Sequence, residues 1–239
     1  MCATRRPGMR MWLIQWQLQT KFTSPRGQDP NNMPYKLEDE LKTQIHTSVS
    51  SSLYNLRHSE DQNADNGSYI DCLLLHSPYP TNHATLEAWK ILESYVPHKI
   101  LRLGISNVPL GMLEDIYENS SVKPSVVQNR FYPSTGYDVE LREFCIERGI
   151  MYQSFWTLTG NPGLLASETV AKLADSAKVS NTSALYSLVM NLGVVVLNGT
   201  TSTQHMQDDL TEIKEVQKWA TSYPDDWKAI MEGFASLLE

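Results

Sequence analysis

Short apolar runs in this chain repeatedly end in polar side chains. Tyr69-Ile-Asp-Cys-Leu-Leu-Leu-His76 closes on an imidazole, and Ile100-Leu-Arg-Leu-Gly-Ile-Ser-Asn107 closes on a hydroxyl and an amide. Leu18-Gln-Thr-Lys21 delivers an ammonium, Ser125-Val-Val-Gln128 a second amide, and Ile150 to Phe155 an aromatic ring, while Val194 to Asn198 leads into Gly199. A buried parallel strand reads as a near-continuous apolar run, and its C-terminal end is where such sheets present groups to a ligand. These segments therefore offer hydrogen-bonding, proton-handling and stacking groups to a common ligand. Asn198-Gly-Thr-Thr201, between a strand and a helix, adds free backbone N–H groups and a helix dipole suited to phosphate.

Each group also has a structural use. Lys21 reads as a solvated strand end, His76 as a capped core residue, and Ser106 with Asn107 as a turn and helix N-cap. Gln128 suits a loop-satisfying amide, Phe155 a core ring, and Gly199 to Thr201 a tight turn.

The elements that would position these groups alternate. Leu37, Leu41, Ile45, Val49 and Leu53 recur every four residues and predict a helix over about 36–57 with one face on a core. His58 to Ser68 is polar and turn-rich, a surface loop. Further helices carry Leu86, Trp89, Leu92 and Tyr95; then Leu110, Leu113 and Ile116; then Leu141, Phe144 and Cys145. Two more are expected near 168–177 and 182–191, one with Met206, Leu210, Ile213 and Val216, and a last one from Trp227 to Leu237. Regular alternation of strand and helix implies a parallel sheet with right-handed crossovers. The count is about six βα units. A six-stranded parallel sheet either stays open with helices on both faces or forms a barrel lacking a quarter of its wall.

Composition narrows the function classes. A chain of 239 residues with 41% hydrophobic content can bury one core, and residues 17–239 are expected to form one domain after an irregular segment at 1–16. Net charge of −7 gives no basic excess to attract nucleic acid. The apolar run Met11 to Ile14 is too short for a secretory core, and no stretch approaches the ~20 apolar residues that cross a membrane. Cys2, Cys72 and Cys145 are too widely spaced for a metal knuckle, and reduced thiols fit a cytoplasmic location.

The ordered segments together resemble the aldo-keto reductases, over about 18–220. Gln19-Thr-Lys-Phe22 looks like the family's catalytic-lysine strand, and Tyr69 to Pro78 like its catalytic-histidine strand. Gly104-Ile-Ser-Asn107 and Pro124-Ser-Val-Val-Gln128 are similar to the segments that hold the nicotinamide carboxamide. Ser154-Phe155 stands where an aromatic ring stacks on the nicotinamide. The resemblance implies an incomplete parallel β/α barrel of the TIM type with a C-terminal helix. It also implies reduction of a small-molecule carbonyl to an alcohol by NADPH, with NADH open as an alternative. Lys21 and His76 would be catalytic; Ser106, Asn107, Gln128, Phe155, Gly199, Thr200, Thr201 and His205 would bind cofactor; no metal is expected.

Two departures qualify this. The family's proton-donating tyrosine and its aspartate belong to two βα units before the lysine strand, and no residue from Met1 to Leu18 is a tyrosine or an aspartate. Tyr54, Tyr69 and Tyr79 lie elsewhere in the pattern. The family's Lys-Ser and arginine at the last strand are replaced by Asn198-Gly199 and His205, which weakens the grip on a 2′-phosphate. Three expectations follow: a reductase, placed in fungal secondary metabolism; an impaired pseudoenzyme that binds a nucleotide or metabolite; or a chain whose upstream exon supplies the absent units.

Overall fold

The computed structural model of the protein describes residues 17–57 and 68–238. The irregular segment expected at 1–16, and nearly all of the loop expected at 58–68, lie outside the described residues. Six strands form one parallel sheet in sequence order: β1 (Gln19–Phe22), β2 (Ile70–Leu75), β3 (Ile100–Ser106), β4 (Val126–Arg130), β5 (Met151–Phe155) and β6 (Val195–Val196). Helices α1 (Leu41–Asn55), α2 (Asn82–Glu93), α3 (Leu110–Asn119) and α4 (Val139–Arg148) connect the first five strands. Between β5 and β6 run α5 (Pro162–Leu165), α6 (Glu168–Ala177) and α7 (Asn181–Asn191), and α8 (Thr203–Ser222) and α9 (Pro224–Ala235) follow β6. This is the incomplete parallel β/α barrel that the alternation and the resemblance imply.

Strand β2 is largely apolar on both faces because both are covered. Side chains alternate along a strand, so Leu73 and Leu75 point one way and Cys72 and Leu74 the other. Leu73 and Leu75 join a large core with helix residues such as Trp89, Leu113 and Leu188. Cys72 and Leu74 pack instead with Val126 and Met151 in a second, small core that holds no helix residue. One face of the sheet thus carries the helices, and the sheet curls around the other.

The curl is fixed by amides. Gln19 Nε2 donates to Gln153 Oε1 at 2.8 Å, and Gln153 Nε2 returns a bond to Gln19 Oε1 at 3.1 Å. Gln128 Nε2 donates to the same Gln153 Oε1 at 2.9 Å. In a flat sheet β1 and β5 would stand about 19 Å apart, beyond the reach of two glutamines. Their bidentate contact means that the inner face of the sheet closes upon itself. Gly104 permits the closeness: a Cβ there would lie 2.4 Å from Leu74 Cδ2 and 2.5 Å from the Val126 carbonyl oxygen.

Helix starts follow local chemistry. Thr81, Ser167, Ser180 and Ser202 each accept a bond from the backbone N–H three residues on, which caps α2, α6, α7 and α8. Helix α1 keeps the expected stripe from Leu41 onward and buries Ile45 and Val49. Leu37 departs from it and is exposed, because Lys36 N–H bonds Asp39 Oδ2 in a turn and the helix begins only at Leu41. Met206 and Leu210 also depart: both are exposed, and Val216 is the buried residue of α8.

The amide cluster and the tight inner layer give measurable contrasts. Gln153→Leu removes the acceptor of two donors, one of them buried, and should cost about 1–3 kcal/mol in urea unfolding. Gly104→Ala should cost about 1–3 kcal/mol or more by overpacking. Gly111→Ala, on an exposed position of α3 with open space around it, should instead stabilise by about 0.5 kcal/mol.

Candidate active site

The rim above the amide cluster is built from strand ends. His76 follows β2 and donates its N–H to the Phe22 carbonyl at 2.9 Å, which carries the β1–β2 ladder one step further. At the end of β3, Ser106 Oγ donates to the Gln128 carbonyl at 2.6 Å and Asn107 N–H donates to the same oxygen at 3.1 Å. Asn107 sits at φ +55, a left-handed conformation that asparagine tolerates better than most residues. That turn aims its amide back over the rim. Asn107 Nδ2 donates to the His76 carbonyl at 2.9 Å, and its Oδ1 accepts from Arg130 Nη1 at 2.8 Å. The Arg130 guanidinium lies 5.2 Å from the Phe155 ring centre and 4.7 Å from that of Trp156.

These groups enclose a cavity of about 500 Å³. Lys21, His76, Ser106, Asn107, Gln128, Phe155 and Gly199 all line it, so the structure brings together seven of the residues singled out from the sequence. Thr200, Thr201 and His205 do not line it. Thr200 and Thr201 precede α8 and His205 lies in its first turn; Ser202 N–H bonds Thr200 Oγ1 and His205 N–H bonds Ser202 Oγ. Asn198 lines the cavity, and its Nδ2 donates to Asp209 Oδ2.

The electrostatics are one-signed. Lys21 and Arg130 line the cavity, and among the described residues no aspartate or glutamate does. Among the described residues, no hydrogen bond or ion pair engages the Lys21 ammonium or the His76 ring. Burial pulls the Lys21 pKa below its ordinary value. Burial, then the Lys21 charge, then the Arg130 charge pull that of His76 below 6.5, so its imidazole is neutral at physiological pH. Because Gln128 Nε2 is held by Gln153, its Oε1 is the atom left to accept from a ligand.

Sequence reading missed Arg130 and Tyr186. Arg130 stands two residues after Gln128 on the same strand, so the alternation that points Gln128 inward points Arg130 inward too; that signal was available. Tyr186 comes from α7, whose residues from Ser183 to Val189 are all buried, and no local pattern marks one of them as facing the cavity. Burial, then the Asp209 charge, push its phenol up to about 12. Tyr79 has a buried hydroxyl with no partner among the described residues, but it does not line the cavity.

The Aldo/keto reductase family model matches residues 15–230, and the chain belongs to that family. It is 28% identical over 151 residues to the NAD/NADP-dependent indole-3-acetaldehyde reductase of Schizosaccharomyces pombe, covering 59% of this chain and 53% of that protein. It is 30% identical over 155 residues to the D-galacturonate reductase of Hypocrea jecorina, covering 54% of this chain and 49% of that protein. A crystal structure of an aldo/keto reductase from Brucella melitensis superposes with a TM-score of 0.62 at 17% identity, over 86% of this chain and 72% of that one. The chain spans about half the length of the curated relatives it matches.

The depressed His76 pKa has a defined sign. Below pH 6.5 the unfolded chain protonates this imidazole while the folded chain resists, so stability contributed at this position is present above 6.5 and falls as pH drops beneath it. Urea unfolding at pH 7.5 and 5.5 should show a larger loss for the wild type than for His76→Gln, and the His76 ring signals in NMR should titrate at lower pH than those of a histidine in an unfolded peptide.

Proposed function

We propose that the chain binds a nicotinamide dinucleotide in this cavity and reduces a small carbonyl compound to an alcohol. The observation that carries the reading is the convergence of Lys21, His76, Gln128 and Phe155 on one cavity that no carboxylate lines among the described residues. Two relatives that are named reductases support it. The residues present suit the nicotinamide end of such a cofactor. Phe155 is half-buried and gives a ring to stack on, and Gln128 Oε1 is an acceptor for a carboxamide N–H. Ser106 and Asn107 hold the Gln128 backbone in place.

The cofactor, when bound, supplies the hydride. The chain supplies orientation and charge. The Lys21 ammonium and the neutral His76 N–H donate to the carbonyl oxygen, which gains negative charge as its carbon is reduced. The oxygen then takes its proton from water at the mouth, since a neutral His76 that gave up its N–H would be left as an imidazolate. For the nucleotide's far end, the segment Asn198 to His205 holds no lysine or arginine, and Asn198 faces Asp209. A 2′-phosphate there meets hydroxyls, a histidine and backbone N–H groups without a fixed cation. NADPH is the cofactor of this reading, and NADH is expected to bind within about tenfold of it.

A second reading is binding without turnover. It is favoured by the Lys21 ammonium, which contacts no phenol among the described residues; Tyr186 lines the same cavity, but burial raises its phenol to about 12 and no lysine contact lowers it.

Tryptophan fluorescence during NADPH titration tests the binding that both readings require, since Trp156 lines the cavity, and turnover separates the two. Binding should weaken by several-fold in Phe155→Ala, the scale of an aromatic contact of about 0.5–1.5 kcal/mol. Loss of NADPH absorbance with aromatic aldehydes and small ketones should be measurable and should fall by about 10²–10⁴ in Lys21→Met. Binding without turnover selects the second reading, and absence of both sinks each.

A further inference from the structure

Arg130 is a cation without a counterion. Among the described residues it forms no ion pair, and its one hydrogen bond, to Asn107 Oδ1, uses a single Nη1 proton. The rings of Phe155 and Trp156 hold the guanidinium plane, which leaves the remaining N–H groups as a fixed fork. A half-buried charge left in this state is disfavoured until an anion pairs with it. A planar fork of donors matches a carboxylate, which it grips through two parallel bonds.

The surroundings say which side the anion occupies. Arg130 and Asn107 form a wall between the first cavity and a second one of about 670 Å³. The second is lined by Asp138 and Glu140, which repel an anion, whereas the first has Lys21 and no acid. Asp138 is itself committed: its Oδ2 accepts from Asn129 Nδ2 at 2.8 Å and from the Tyr152 hydroxyl at 2.9 Å. The nucleotide's phosphates do not account for Arg130 either. In the reading above they lie beyond β6 near Gly199, with β5 between them and β4. Arg130 is instead joined to the His76 backbone through the Asn107 amide, by bonds of 2.8 and 2.9 Å. A group on Arg130 is therefore a short molecule's length from the carbonyl position at Lys21 and His76.

We propose that the cavity takes carbonyl compounds bearing a carboxylate, with Arg130 gripping the carboxylate while Lys21 and His76 receive the carbonyl oxygen. Short 2-oxo acids and semialdehyde acids are the class that fits. The proposal rests on the reductase reading for its chemistry, but the carboxylate contact stands on Arg130 alone.

Phenylglyoxylate and its methyl ester test this, because they share the ketone and ring and differ in one charge. Calorimetric titration of the cofactor-free protein should give at least tenfold tighter binding of the acid, and raised salt should weaken it. Arg130→Gln should bring the two ligands within twofold, and Arg130→Lys should keep part of the preference, with circular dichroism confirming the fold of each. Equal affinity of acid and ester in the wild type, binding of neither, or a preference that survives Arg130→Gln overturns the proposal; the first two outcomes need no variant. Turnover separates the two claims. Preference for the acid with no NADPH oxidation removes the reductase reading and keeps the carboxylate site; equal reduction of ester and acid does the reverse.

Discussion

The contact on which the site depends is the amide pair between Gln19 and Gln153. Its two hydrogen bonds tie the first strand to the fifth across the inner face of the sheet and hold the curl. Without that curl, Lys21 on β1 and Phe155 on β5 would stand on a broad open surface instead of facing each other over one cavity. Its reach extends further because Gln153 Oε1 also accepts from Gln128, so the same atom that holds the wall together decides which end of the Gln128 amide faces a ligand. Neutral amides suit the position. They satisfy one another in a half-buried layer without the desolvation penalty that an ion pair would carry there.

Above this neutral layer the character changes. The rim gathers two cations and an imidazole with no acid among the described lining residues, and burial, helped by the Lys21 and Arg130 charges, keeps His76 uncharged. A neutral imidazole has one N–H to give and one nitrogen to accept, so it can orient a carbonyl without adding a third charge. The small inner core of Cys72, Leu74 and Val126 lies below and keeps the floor apolar. Field, floor and frame thus come from successive inward positions of the same strands.

Much of the fold was legible because periodicity reports burial. The run at Ile70 to Leu75 is apolar but for Asp71 since both faces are packed, and α6 spans Glu168–Ala177, the range expected from the sequence. The misreadings have local causes. Leu37 keeps the four-residue spacing, yet an Asp39 turn competes for the backbone before the helix can start. Met206 and Leu210 keep it as well, but an apolar stripe records a tendency to be covered and says nothing of whether a neighbour is there. In the site, strand ends revealed Lys21, His76 and Gln128. The bond from Gln19 to Gln153 joins residues 134 positions apart and has no sequence signal at all. Arg130 escaped because a charged side chain at a strand end reads as solvated unless its inward parity is followed.

The partition between the two cavities has a property of its own. Asn107 commits its oxygen to Arg130 and its nitrogen to the backbone of His76, so rotating the amide by half a turn would break both contacts and set donor against donor and acceptor against acceptor. The wall behaves as a latch with a single locked state. A molecule occupying one chamber would be sensed in the other only through displacement of the arginine, which makes the pair of chambers a two-room lock with one shared bolt.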